Sequence, residues 1–134
     1  GLSLSYATTD VNDHSSNGAG DNSVIKASYA YGPVTVGYSE MEHDEDATSG
    51  AGDITMTSYN ISYTVSDEIS LSYGTEESNK GSATTDLEVS GITASYTSGG
   101  MTLSLTMQEL ENGNWGTGSE EDMDFYALGA SFAF

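Results

Sequence analysis

The stretch Ile25-Lys26-Ala27-Ser28-Tyr29-Ala30-Tyr31-Gly32-Pro33-Val34-Thr35-Val36-Gly37-Tyr38 decides the fold. Before Gly32-Pro33, Ile25, Ala27, Tyr29 and Tyr31 alternate with Lys26, Ser28 and Ala30. After it, Val34, Val36 and Tyr38 alternate with Thr35 and Gly37. A period of two puts successive side chains on opposite faces of a β-strand, and Gly-Pro between two such runs marks a tight turn. The stretch is therefore a β-hairpin with one apolar, aromatic face and one small, polar face.

The same alternation recurs along the chain. Leu2–Ala7, Tyr59–Val65, Ile69–Gly74, Ile92–Thr97, Thr102–Met107 and Tyr126–Phe134 each read as a strand, which makes eight with the hairpin. No stretch fits helical spacing better. In two places the phase slips. Ile54 and Met56 are out of step with Tyr59 and Ile61, and Leu87 and Val89 are out of step with Ile92 and Tyr96 across Gly91. A slip of one residue reverses every later side chain, so the reading places a β-bulge in each. Tight turns at 31–33, 66–68 and 98–100 alternate with long polar segments at about 10–22, 42–53, 76–86 and 111–122. Gly-Ala-Gly-Asp occurs twice, at 18–21 and 50–53, each time where a loop re-enters a strand. Residues 1–134 read as a single β-barrel domain, or as the C-terminal part of one.

Leu, Ile, Val and Phe make up only 22 of 134 residues, and the net charge is −19. Those values usually mark disorder, but the patterning contradicts it. With no cysteine there is no disulfide and no thiolate chemistry, and two cations against 21 acids exclude a nucleic-acid surface. No run approaches the ~18–20 apolar residues of a transmembrane helix. The start at Gly1, with no Met and no leader, reads as a processed or partial product.

All nine tyrosines fall on the apolar faces. The opposite faces are Ser, Thr, Gly, Ala and Asn, and nearly all the acids lie in or beside the long loops. A soluble sandwich places its bulky residues inside and its charges outside. The reverse arrangement describes the wall of a transmembrane antiparallel β-barrel. Lipid leaves no free backbone group unpaired, so such a sheet must close. Tyr29, Tyr31, Tyr63, Tyr96, Phe132 and Phe134 lie toward the short turns, and Tyr38, Tyr59, Tyr73 and Tyr126 lie further along. They are read as two interfacial girdles.

The ending Tyr126-Ala127-Leu128-Gly129-Ala130-Ser131-Phe132-Ala133-Phe134 resembles the terminal strand of Gram-negative outer-membrane proteins. In that class Tyr126, Leu128, Ala130, Phe132 and Phe134 correspond to the signal read by the barrel assembly machinery. The 27–38 hairpin resembles one common in general diffusion porins of the alphaproteobacterial type. The resemblance covers the whole chain as the C-terminal half of such a porin. It implies half of a 16-stranded barrel, a homotrimer, and a constriction loop supplied by the other half.

Several residues carry candidate chemistry. Lys26, the one cation in a recognised strand, and Glu88 are read as lumen-facing. They join the pore-lining set Ser28, Thr35, Asn60, Ser62, Ser70, Ser72, Ser95, Thr102, Ser104 and Thr106. Asp44, Glu45 and Asp46 offer loose divalent-cation contacts, for Ca²⁺ if any metal, but without EF-hand spacing. His14 beside Asp13 and His43 beside Asp44 invite a hydrolase reading that lacks a positioned nucleophile. Trp115 fits either an interfacial anchor or a loop-packing residue.

The sequence thus reads as an all-β outer-membrane porin of the bacterial cell, passing small hydrophilic solutes and ions by passive diffusion with mild cation preference. It reads as no enzyme and needs no cofactor. Its partners are outer-membrane lipid, lipopolysaccharide and the remaining half of the barrel. The alternative is a closed eight-stranded barrel of adhesive or structural type, and an outer-membrane hydrolase stands third.

Overall fold

The computed structural model describes residues 1–11, 20–45, 52–117 and 122–133. Its strands are β1 (Leu2–Val11), β2 (Gly20–Tyr31), β3 (Val34–Glu45), β4 (Ile54–Thr64), β5 (Ile69–Lys80), β6 (Leu87–Ser98), β7 (Met101–Glu111) and β8 (Met123–Phe132). They form one antiparallel sheet in the order β1 to β8. All eight alternating runs are strands, and most reach further toward the long connections than the alternation alone shows.

Turn chemistry closes the short ends. Gly99 and Gly100 both have positive φ, at 57° and 82°, the requirement of a type I′ hairpin turn. Gly32 at φ 56° precedes Pro33, whose ring supplies the negative φ of a type II′ turn. At the third turn the Ser66 hydroxyl accepts the N–H groups of Glu68 and Ile69, both at 3.2 Å.

The register is continuous through every pair. In β4, Ile54 lies opposite Lys80 and Thr64 opposite Ser70, with no residue left over between them. In β6, Leu87 pairs with Ser78 and Tyr96 with Ile69, again without interruption. Neither expected bulge exists. The phase change has another cause: the face polarity itself inverts toward the long loops. Glu88 consequently shares a face with Ile92 and Tyr96, and Leu87 and Val89 share one with Thr93 and Ser95. The reading of Glu88 as a companion of Ser95 is corrected on this ground.

Two faces result. One carries all nine tyrosines and is called the tyrosine face. The other carries the strand serines and threonines at the short-turn end and is called the serine face. Among the described residues no apolar side chain is buried, so there is no internal core. Leu2, Leu4, Tyr6, Tyr126 and Leu128 are all at least 65% exposed. Apolar area of this kind must be covered by something other than the chain itself.

The apolar band on the tyrosine face runs diagonally to the register. The row Leu2, Tyr29, Val36, Ile61, Tyr73, Ile92, Met107, Tyr126 is apolar throughout. The row of Tyr6 and Ile25 turns polar at Glu40 and continues through Thr57, Glu77, Glu88 and Glu111. The upper limit of the band therefore drops two rows between Tyr6 on β1 and Tyr126 on β8. A level apolar slab cuts tilted strands in this way, and barrel strands are tilted by ~35–45°.

The sheet is open. β1 pairs with β2 and β8 with β7, and neither outer edge is paired with a strand among the described residues. This bears out the expectation, drawn from the small side chains of the polar face, that the chain does not close on itself. It also removes the closed eight-stranded alternative.

Candidate functional site

The serine face is the candidate site. Toward the short turns it is lined by hydroxyls that bond across strands. Ser70 and Ser95 approach to 2.7 Å, Thr97 and Thr102 to 2.9 Å, and Thr93 and Thr106 to 3.3 Å. Further along, the Ser58 hydroxyl donates to the Glu76 carboxylate at 2.7 Å. Two amides lie flat on the wall, each over a glycine. A Cβ at Gly37 would stand 2.6 Å from Asn60 Nδ2, and one at Gly91 would stand 2.8 Å from Gln108 Cγ. Gly91 is thus required for close approach and not for a bulge. Among the described residues this surface offers hydroxyls and amides that bond across strands, with no convergent set that would hold one solute.

The structure brings Lys26, Ser28, Thr35, Asn60, Ser62, Ser70, Ser72, Ser95, Thr102, Ser104 and Thr106 onto this one face. Glu88 alone of the expected set stands on the other. Ser39 and Thr93 lie on the polar face, where the alternation puts them, and the register adds Ser58, Glu76 and Lys80, which the sequence reading passed over. Their signal was the period of two, carried a few residues beyond the apolar runs. Tyr29, Tyr31, Tyr38, Tyr63, Tyr73, Tyr96 and Phe132 share the tyrosine face. Tyr38 and Tyr59 meet as a tilted ring pair, centroids 5.3 Å apart, and the Tyr38 hydroxyl donates to Glu40 at 2.6 Å. In the terminal motif Tyr126, Leu128, Ala130 and Phe132 share that face, and Phe134 lies outside the described residues.

The candidate metal and catalytic residues do not converge. Asp44 and Glu45 are consecutive strand residues and so point to opposite faces, and Asp46 lies outside the described residues. The Asp53 carboxylate accepts the Glu45 backbone N–H at 2.9 Å, a structural bond at the base of the loop. His43 and Asp44 likewise diverge. His43 Nδ1 lies 2.9 Å from Asn22 Oδ1, and His14 lies outside the described residues. Among the described residues no group of three or more His, Cys, Asp or Glu is placed to hold a metal ion.

Toward the long loops the faces exchange character. Val24, Met41, Met56, Leu87, Val89, Leu110 and Phe125 lie on the serine face there. The tyrosine face becomes acidic, with Asp10 opposite Asp21, Asp21 opposite Asp44, and Glu109 opposite Asp124. Trp115 resolves as a loop-packing residue. Its indole Nε1 donates to the Ser78 carbonyl at 2.9 Å, and Lys80 Nζ stands 4.9 Å from the ring centroid.

Comparison with known proteins agrees with this geometry. The sequence profile of the Gram-negative porin family matches residues 1–134. The chain belongs to that family, and with it to the β-barrel proteins of the bacterial outer membrane. The fold is similar to that of a porin solved at 1.8 Å resolution, with a TM-score of 0.73 and 18% identity. The alignment covers 98% of this chain and 47% of that one, so the chain spans about half the length of the porin it resembles. No curated protein sequence matches it significantly.

Proposed function

We propose that the chain forms half the wall of a water-filled outer-membrane channel for passive diffusion of small hydrophilic solutes and ions. The observation that carries this reading is the sheet with two solvents. One face holds every tyrosine in a tilted apolar band, and the other holds small hydroxyls that hydrate a lumen without retaining a solute. Those hydroxyls and amides, from Ser28 and Thr35 through Asn60 to Ser104 and Thr106, are the lining of the pore. The tyrosines and Phe132 seat the band at the two lipid–water interfaces.

The open edges at β1 and β8 call for further strands. A sheet this lightly filled on its serine face suits a barrel of about sixteen strands, in which water fills the interior. The chain would then be the C-terminal half, of the alphaproteobacterial type, in a barrel that assembles as a homotrimer. Phe134 and its alternating predecessors would present the signal for assembly.

Of 21 acids all but Asp67 and Glu68 lie outside the charged short turn, mostly on the long-loop side, and against two lysines they make that mouth electronegative, which favours cations within a screening length of ~8–10 Å. The acidic rows of the tyrosine face lie just beyond the apolar band, level with the headgroups. Loosely held Ca²⁺ there would bridge to the phosphates of lipopolysaccharide. Reversal potentials of the intact protein in planar bilayers under a KCl gradient test the reading. Channels with modest cation preference that fades as salt rises are expected. Absence of any conductance overturns it.

A further inference from the structure

We infer that residues 112–117 form a fixed strap that narrows the channel mouth on the β5–β7 side, with Trp115 as its pin and a determinant of the largest solute admitted. The inference rests on the channel reading above.

The strap lies on the serine face. Lys80 is in phase with Ser70, Ser72, Ser78 and the other serine-face residues of β5, and its ammonium is held over the Trp115 ring. Ser78 is 3% exposed, the one buried polar residue among those described, on a sheet that buries no apolar side chain among them. Its register partners Met56 and Leu87 belong to the inverted apolar rows of the same face. The segment that reaches it is the strap, through the indole bond to its carbonyl. The 3-10 turn Gly113–Trp115 packs against β6, and the apolar rows beneath explain why an aromatic residue settles there.

The strap is also held in a conformation that needs support. Asn112, Asn114 and Trp115 all have positive φ, between 53° and 55°. Asparagine tolerates this region, whereas a bulky aromatic adopts it rarely and only under support. Bonds from several directions hold it. Thr85 Oγ1 donates to the Trp115 carbonyl at 2.9 Å, and Asn112 Nδ2 donates to the Asp86 carbonyl at 3.0 Å. Asp122 accepts the Asn112 backbone N–H at 3.0 Å. Strain kept in place by surrounding contacts marks a shape that is used.

The experiment compares the intact wild-type protein with Trp115→Ala and Trp115→Phe in liposome swelling, using uncharged sugars of increasing size, and in single-channel conductance. Trp115→Ala is expected to raise the flux of large sugars relative to small ones and to raise conductance, with Trp115→Phe in between. Channels of normal number with an unchanged size limit in Trp115→Ala overturn the strap. Wild-type protein that forms no channels overturns the porin reading instead, so the two failures are distinct. Trp115 is the sole tryptophan, and its fluorescence decides the matter if Trp115→Ala does not assemble. An indole turned into the lumen resists quenching by brominated lipid, and strong quenching there places it on the outer surface and overturns the inference.

Discussion

Glu77 stands directly opposite Glu88 across β5 and β6, and Glu88 stands directly opposite Glu111 across β6 and β7. Three carboxylates thus form one row on the tyrosine face, just beyond the apolar band. Like charges directly across a sheet destabilise it by roughly 0.2–1 kcal/mol per pair. Glu88→Gln removes the central charge and relieves both pairs. Its thermal midpoint in detergent at low salt is expected to exceed that of the wild type, and the gap is expected to close as ionic strength rises. Added Ca²⁺ is expected to stabilise the wild type more than the variant. Equal midpoints at low salt would show that the row is already neutralised.

The continuous register of β6 makes a second prediction, about direction. Val89 lies on the serine face, the proposed lumen side, and Glu88 lies on the tyrosine face. The chain has no cysteine, so a single introduced thiol is unambiguous. In Val89→Cys, a charged methanethiosulfonate reagent is expected to lower channel conductance. In Glu88→Cys, the same reagent is expected to leave conductance unchanged. The opposite pattern would restore a bulge at Gly91.

Leu105 and Thr106 are neighbours on opposite faces of β7. Leu105 lies between Ala94 and Leu128 inside the apolar band, and Thr106 lies opposite Thr93 on the serine face. Leu105→Arg is expected to cost about 2–4 kcal/mol in reversible unfolding from lipid vesicles, the range for a cation at the lipid midplane. Thr106→Arg is expected to keep most of the stability and to shift ion selectivity toward anions. Similar losses in both variants would mean that the two faces see one environment.

The terminal strand supplies a fourth. Tyr126, Leu128, Ala130 and Phe132 hold one face of β8, and Ser131 faces the other way opposite Thr102. Deletion of Phe134 is expected to reduce the protein recovered in outer membranes far more than Ser131→Ala does. Immunoblots of fractionated membranes give the comparison, and equal recovery would remove the assembly role of the ending.

Which segments are strands, and which way most of their side chains point, was legible in the alternation alone. A period of two is a local property, and nine tyrosines in phase leave little freedom at the short-turn end. The sequence also foretold an unclosed sheet, because hydroxyl-sized side chains cannot fill a narrow barrel. What happens toward the long loops depends on how the strands pair. There Glu88 and Val89 break the apolar pattern, and one strand read alone cannot tell a bulge from a true exchange of environment. The partners settle it. Gly74 and Gln108 hold Gly91 in unbroken register, so the side chains keep their alternation and it is the surroundings that change. Trp115 follows the same logic. Its place depends on Ser78 and Lys80, more than thirty residues away in sequence, and no spacing within the chain encodes a contact made only when β5 and the strap are brought together.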